Sequence, residues 1–434
     1  MDRRRPPRAP DLHVLPYEKP KARARRAMPT PDEFYGTTDV EHESPPPRSK
    51  PKTRVARKPQ VEVRVVGSVD YALLFTVSIL VLIGVVMVFS ASYMMASSRV
   101  LFNNDPFWFL RNNIYFAAAG FLVMLALANV SYEIIRPFSP FIYGLGVFLL
   151  VLVITIGIAT SGAQRWLELP IIGQFQPSEV ARAALIFLIA YIIEKFPGMS
   201  RNIKGLLFLA ITVALVAGLI AYPGGFTVAL ITMSIGFAMI AVASPFFWRF
   251  AALGGVGAIF VAAFLWWQSI TDGGFRGTRF NAWLDPFSDP LGSGFQIIQS
   301  LYAIASGGWF GLGVGNSQQA SFIPEPQNDI IFAIIVEELG FFGATAIIAL
   351  FGLFIWRGII ISMRAPDTYS SMVALGIVFA IGFQAIINIA VVTNTIPNTG
   401  VNLPFISYGG TSLLVSMAMV GVLLNISRYT VQKK

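Results

Sequence analysis

From Val69 onward the chain alternates between long apolar runs and short polar connections. Runs of about 17 to 25 residues are long enough to cross a bilayer as helices. Ten of them are centred near Leu82, Ala119, Leu149, Phe187, Thr212, Ser234, Val256, Ala344, Ala380 and Met417. The pattern predicts an all-α polytopic membrane protein, with ten transmembrane helices over residues 69–434 and a large loop, residues 271–328, between helices 7 and 8. Glycines such as Gly254, Gly255 and Gly257 interrupt some runs, which close packing between membrane helices tolerates. The narrowest division lies between Leu206 and Ser244, where only Pro223, Gly224 and Gly225 separate two predicted spans.

Basic residues orient the spans, because cytoplasmic loops carry the excess of Lys and Arg. With a cytoplasmic N-terminus and ten crossings, the inside segments hold Arg136, Lys195, Arg201, Lys204, Arg249, Arg357, Arg364, Arg428, Lys433 and Lys434. The longer outside segments hold only Arg99, Arg111, Arg165, Arg276 and Arg279. Both termini are therefore expected in the cytoplasm and the 271–328 loop outside.

Residues 1–68 are of another kind, with RRRPPR, KPKARARR and SPPPRSKPKTR rich in proline and basic groups. Sixteen Lys and Arg against nine Asp and Glu leave this segment near +7, most of the chain's formal +9. So little apolar surface cannot offset chain entropy, so a disordered cytoplasmic tail is expected. Its charge favours anionic lipid or a partner protein. Nucleic acid is not expected, since nothing in the tail resembles a folded reader. No apolar stretch precedes Val69, so a signal peptide is not expected.

Composition agrees: 55% of the residues are hydrophobic and 13% charged, against roughly 25% charged in an average soluble domain. It also restricts the chemistry. There is no Cys, and the only histidines, His13 and His42, lie in the tail. A Ser-His-Asp triad, a Cys-His pair and a His or Cys zinc site are thereby excluded from the membrane body. Any general base must be Asp or Glu, and these concentrate between Leu284 and Gly340.

Local readings of the charged positions leave alternatives open. Pro177 suits a first helical turn, where Ser178 or Glu179 can accept from free backbone amides. Glu179 and Arg182, three residues apart, can instead pair on one helix face. Glu337 and Glu338 point about 100° apart on a helix and cannot both meet one partner; a polar cavity or an ion pair with Arg182 or another cation would suit one of them. Asp285 and Asp289 each precede proline, a turn-forming arrangement. Beyond them a Gly-rich stretch, Gly292 to Gly315, carries Phe295, Tyr302, Trp309 and Phe310, as a loop packed on the membrane surface would.

Six segments carry a resemblance to a known family: FSAS at Phe89–Ser92, GAQRWLE at Gly162–Glu168, QPSE at Gln176–Glu179, DPLGSGFQIIQS at Asp289–Ser300, EPQNDIIFAIIVEELG at Glu325–Gly340, and LPFISYGGTS at Leu403–Ser412. In this order, across ten spans, the chain resembles the SEDS family of polytopic peptidoglycan glycosyltransferases, which contains cell-division, elongation and sporulation proteins. It departs from the family pattern at Arg182, where the family usually has Lys. It departs also at Gly224, an acidic position in the PDLGT motif, and at Gln327-Asn328, usually His-Thr.

The resemblance implies a bacterial cytoplasmic-membrane enzyme that polymerises lipid II, a disaccharide-peptide joined by pyrophosphate to a polyprenol. The 4-hydroxyl of one GlcNAc would attack the anomeric carbon of a growing strand, with inversion and loss of polyprenyl pyrophosphate. Asp289 takes the role of general base. Arg165, Arg182, Arg276 and Arg279 are the cations for the leaving group. Substrate contacts are expected also from Gln176, Ser178, Glu179, Gln299, Ser300, Glu325, Asp329, Glu338, Ser407, Thr411 and Ser412. No cofactor is evident; a divalent cation, Mg2+ or Mn2+, could share the charge, although no ligand cluster marks a metal site. The implied partner is a class B penicillin-binding protein, a transpeptidase, and other division proteins would engage the tail. The tail and the LLNISRY ending point to the division type. A lipid II flippase and a noncatalytic division scaffold are the rival readings.

Overall fold

A computed structural model describes residues 67–160, 163–169, 173–245 and 275–429. The expected disordered tail and the predicted span near Val256 lie outside the described residues. Among the described residues there are eleven α-helices, labelled α1–α11. They run α1 Tyr71–Ser98, α2 Trp108–Asn129, α3 Tyr132–Ile156, α4 Pro177–Lys195, α5 Ile203–Ala221 and α6 Phe226–Ala243, then α7 Phe275–Leu284, α8 Phe295–Gly307, α9 Ile331–Arg364, α10 Thr368–Val392 and α11 Gly410–Arg428. Nine of the ten predicted spans are thus helices, and Pro223-Gly224-Gly225 does divide α5 from α6.

Eight of these helices are long and apolar enough to cross a membrane, namely α1, α2, α3, α5, α6, α9, α10 and α11. The charged α4 stands apart for a physical reason. It lies inside the bundle, packed by α3, α5, α6, α10 and α11, and its residues from Pro177 to Ile193 are almost all buried. Protein rather than lipid surrounds it, so Glu179 and Arg182 can sit within an otherwise apolar helix. By contrast α1, α2, α3 and α5 expose Phe75, Leu82, Leu122, Phe141 and Ile211, as helices facing hydrocarbon would.

Helix starts follow the local chemistry. Asp70 caps α1 by accepting from the Leu73 amide at 3.0 Å, and Asp367 caps α10 from the Ser370 amide at 2.8 Å. Pro177 occupies the first turn of α4, where its missing N–H costs nothing. Close approaches use glycine: a Cβ on Gly84 of α1 would meet the Phe405 carbonyl oxygen at 2.5 Å.

Two features were not anticipated. Between α3 and α4 a three-stranded antiparallel sheet forms from β1 Ile158–Thr160, β2 Ala163–Leu169 and β3 Gly173–Phe175. It pairs Ile158 with Trp166 and Leu167 with Phe175. The second is a break in α9 at Gly340, whose φ of 67° and ψ of −169° are open essentially to glycine alone. Carbonyl groups of Glu337 and Glu338, released by the break, accept from the amides of Leu312 and Gly313, both at 2.9 Å. The Phe341 amide in turn donates to Gly308 at 2.9 Å. The Gly-rich segment is therefore an irregular strap hydrogen-bonded to a broken helix, and it leaves Trp309 and Phe310 exposed.

Candidate active site

Asp289 stands between a short 3-10 turn, Pro286–Ser288, and the start of α8. Its carboxylate is exposed to solvent. One oxygen, Oδ2, accepts from the Ser293 amide at 2.8 Å and from Ser293 Oγ at 3.1 Å. These bonds, the backbone one foremost, hold the Asp289 pKa below the usual aspartate range. The Gly292 amide adds a weaker contribution in the same direction, so Asp289 closes a turn while its carboxylate stays exposed to solvent. Asp285 differs: it caps the preceding 3-10 turn through the Phe287 amide at 3.2 Å.

A second group of charges gathers Arg165, Arg279, Glu325 and Asp329. Arg165 on β2 donates to the Gly224 carbonyl oxygen at 2.5 Å, while its Nε has no partner. Burial and then the neighbouring charge of Arg279 lower the Arg165 pKa. Arg279 on α7 is also lowered by burial, and Asp329 opposes that shift. Asp329 is raised by burial, against which Arg279 acts, and Glu325 adds its own negative charge. Glu325 is exposed, has a left-handed φ of 54°, and accepts from Asn328 Nδ2 at 2.7 Å.

The α10–α11 connection holds this group in place. Asn388 Nδ2 donates to the carbonyl oxygens of Asp329 and Val401, both at 2.6 Å. Trp283 Nε1 donates to the Asn394 carbonyl at 3.0 Å, and Asn398 Nδ2 donates to Gln296 Oε1 at 3.0 Å. Arginine and carboxylate are thus pinned to one loop framework, and α7 ends at Leu284, five residues before Asp289.

The remaining predicted residues serve diverse contacts. Glu179 and Arg182 form a buried ion pair within α4, and Arg182 Nε stays without a partner. Gln176 and Ser178 line a small cleft with Arg165, Pro223 and Gly225. Thr411 Oγ1 donates to the Gln174 carbonyl at 3.2 Å, while the Gln176 amide donates to it at 3.4 Å. Ser300 Oγ donates to the Val392 carbonyl at 3.0 Å, and Gln299 is half-buried beside it. Ser407 Oγ accepts from the Leu403 amide at 2.7 Å; Ser412 is buried in the first turn of α11. The Arg276 side chain lies outside the described residues.

Glu338 accepts from Ser90 Oγ at 2.6 and 2.7 Å, and Ser90 Oγ itself accepts from the Gly315 amide at 2.9 Å. Glu337 accepts from Ser317 and from the Gln318 amide at 3.1 Å. Arg182 pairs with Glu179, and the glutamate pair fastens the Gly-rich strap to the bundle. Ser293, Asn388 and Ser90 had no assigned role from sequence. Ser293, four residues after Asp289, is a local donor to that carboxylate, and Asn388 is a polar residue in the apolar run IINIA. Among the described residues no group of three or more carboxylates gathers to hold a metal ion.

Comparison with known proteins identifies the family. Residues 71–432 match the cell cycle protein family of FtsW, RodA and SpoVE. Stage V sporulation protein E of Bacillus subtilis is 42% identical over 84% of this chain and 98% of its own length. A protein of Thioalkalivibrio sulfidiphilus named probable peptidoglycan glycosyltransferase FtsW is 36% identical over 86% of this chain and 93% of its own. Among solved structures, a chain from a peptidoglycan synthase complex, described for its structural coordination of polymerization and crosslinking, superposes with a TM-score of 0.68. It is 28% identical over 83% of this chain and 98% of that one. The rod shape determining protein RodA of Thermus thermophilus superposes at 0.61, with 25% identity over 84% of this chain and 98% of its own. On this sequence and fold evidence the chain belongs to the FtsW/RodA/SpoVE family, the SEDS membrane proteins.

Proposed function

We propose that this protein is a peptidoglycan glycosyltransferase that polymerises lipid II into glycan strands for the division septum. The observation that carries the mechanism is Asp289: Ser293 anchors Oδ2 of a carboxylate that is exposed to solvent. In the reaction the 4-hydroxyl oxygen of an acceptor GlcNAc forms a bond to the donor anomeric carbon. Its proton passes to the Asp289 carboxylate, and the anomeric carbon–oxygen bond to pyrophosphate breaks with inversion. Like an ordinary aspartate, Asp289 is ionised at neutral pH, and the Ser293 contacts favour that charged form.

Negative charge grows on the departing pyrophosphate and needs fixed cations. Arg279 is close enough to disfavour the charge on Arg165, which an anion bound there would relieve. Arg165 Nε is a donor still to be satisfied. No step is assigned to Mg2+ or Mn2+. The peptidoglycan synthase complex among the structural relatives supports a transpeptidase of the class B penicillin-binding type as partner. The 42% identity to stage V sporulation protein E favours a second reading of the biological setting, a sporulation role with the same chemistry.

Purified protein, alone and with such a transpeptidase, is given labelled lipid II in detergent and in vesicles. Polymer that disappears in Asp289→Asn supports the enzyme. Translocation of lipid II across vesicles without polymer would establish the flippase, and neither activity in both preparations would leave the scaffold.

A further inference from the structure

A cleft of about 470 Å³ lies far from Asp289 in the chain, between α3, α4 and α5. Its walls are Pro140 and Tyr143 of α3, Leu188 and Ile192 of α4, and Phe208 and Leu215 of α5, with Phe196 and Met199 at the turn that follows α4. Phe196, Phe208, Ile211 and Leu215 are 45%, 51%, 59% and 49% exposed, so the cleft opens sideways where hydrocarbon would lie. Tyr143 donates to the Thr212 carbonyl at 3.0 Å and bridges α3 to α5 toward the deep end.

The mouth is basic. Lys195 Nζ donates to Tyr191 Oη at 2.7 Å and lies 5.0 Å over the Tyr191 ring and 5.7 Å over that of Phe196. Tyr191 and Phe196 both line the cleft, so the ammonium group sits at its rim. Arg201 follows in the same connection and Lys204 in the first turn of α5, and both are exposed. The carboxylate beside Lys195, Glu194, is engaged by Arg136 at 2.7 Å. Among the described residues no carboxylate pairs with Lys195, Arg201 or Lys204.

We propose that this cleft binds an anionic phospholipid, with an acyl chain between α3, α4 and α5 and its phosphate against Lys195, Arg201 and Lys204. Depth favours a lipid over a transmembrane helix of another protein. Along α4 and its C-cap the wall advances eight steps from Leu188 to Phe196, about 12 Å at 1.5 Å per residue. That is close to one leaflet, half of a hydrocarbon core of about 30 Å, whereas a spanning helix needs the whole thickness. Charge favours an anionic headgroup, since each basic residue near such a surface contributes about 1 kcal/mol. The cleft lies on the side that holds both ends of the membrane body, because the start of α3 meets Asn425 near the end of α11. It is therefore separate from the loop framework around Asp289.

The full chain, in nanodiscs, is exposed to a trace of phosphatidylglycerol or phosphatidylcholine bearing a photoreactive group on one acyl chain, and the labelled peptides are mapped. Phosphatidylglycerol should label the segments around Tyr143, Ile192 and Ile211 about fivefold more than phosphatidylcholine, the ratio that about 1 kcal/mol gives. Lys195→Gln should lower that preference. Ile211→Trp, at an exposed position that tolerates size, should fill the cleft and suppress labelling by both lipids. Equal labelling by the two lipids in the unmodified chain overturns the proposal. So does labelling that ignores Ile211→Trp, or a crosslink from this cleft to a copurified polypeptide in place of lipid.

Discussion

The backbone amide of Gly67 donates to the carbonyl oxygen of Arg428 at 2.8 Å. One turn on, the Asp70 amide donates to Ser427 Oγ at 3.0 Å, and the Asp70 carboxylate pairs with Arg357. The entry into α1 and the exit from α11 thus share one side of the membrane body, which requires an even number of crossings. With the excess of basic residues on that side, a reporter fused after Lys434 or inserted before Val69 should be cytoplasmic. One placed near Gly315 should be external. Protease or thiol accessibility in intact and opened cells measures this, and an internal Gly315 would place the proposed site on the wrong face.

Asp289→Asn keeps size and most hydrogen bonding but removes the base. Polymerisation of labelled lipid II should fall about 10²- to 10⁴-fold, with thermal stability near that of the parent. Asp285→Asn, at a neighbouring capping residue that also precedes proline, should retain much more activity. Unfolding of the Asp289 variant would show that the turn is its main role, and normal polymerisation would remove it from the chemistry.

The Ser293 contacts make a pH prediction. They depress the Asp289 pKa, so the competent, ionised base is present above that value and is lost as pH falls through it. Ser293→Ala removes the hydroxyl donor and keeps the amide. The acid limb of the pH–rate profile should then move toward higher pH, with the plateau rate largely kept. An unmoved limb would mean that another group controls it.

Within α4 the Glu179–Arg182 pair is almost completely buried, with side chains 6% and 3% exposed. Arg182→Ala strands a buried carboxylate, and breaking such a pair typically costs about 3 to 5 kcal/mol. The variant should therefore melt well below the parent in detergent. Arg182→Lys retains the charge and should be tolerated. Stability equal to the parent in Arg182→Ala would show that water reaches Glu179.

At Gly340 an alanine Cβ would strike the backbone of Phe310 and Gly311, and the φ of 67° is itself unfavourable for an L side chain. The conformational part alone costs about 1 to 3 kcal/mol. Gly340→Ala should lower the melting temperature and speed amide exchange in the 308–319 strap. Exchange as slow as in the parent would mean that the helix break is not what holds the strap.

Much of this protein is written locally. Spans are a property of continuous apolar composition, so α1–α6 and α9–α11 stood out one by one, and the three-residue break after α5 was enough to separate α5 from α6. Caps and turns are equally local: Asp70, Pro177, Asp367 and the Asp289–Ser293 turn need only residues a few positions away. The tertiary structure alone decided where the interior polar groups go. Glu338 finds Ser90 at a distance of 248 residues in sequence, Arg165 finds the Gly224 carbonyl 59 away, and Asn388 reaches Asp329 across 59. The sheet at 158–175 is short and lies between two helices, so its weak alternation was hidden by the stronger apolar periods around it. Periodicity reports which face a residue occupies, whereas a buried charge or amide must satisfy its hydrogen bonds with whatever the packed bundle brings within 3 Å, and that choice exists only once the helices have met.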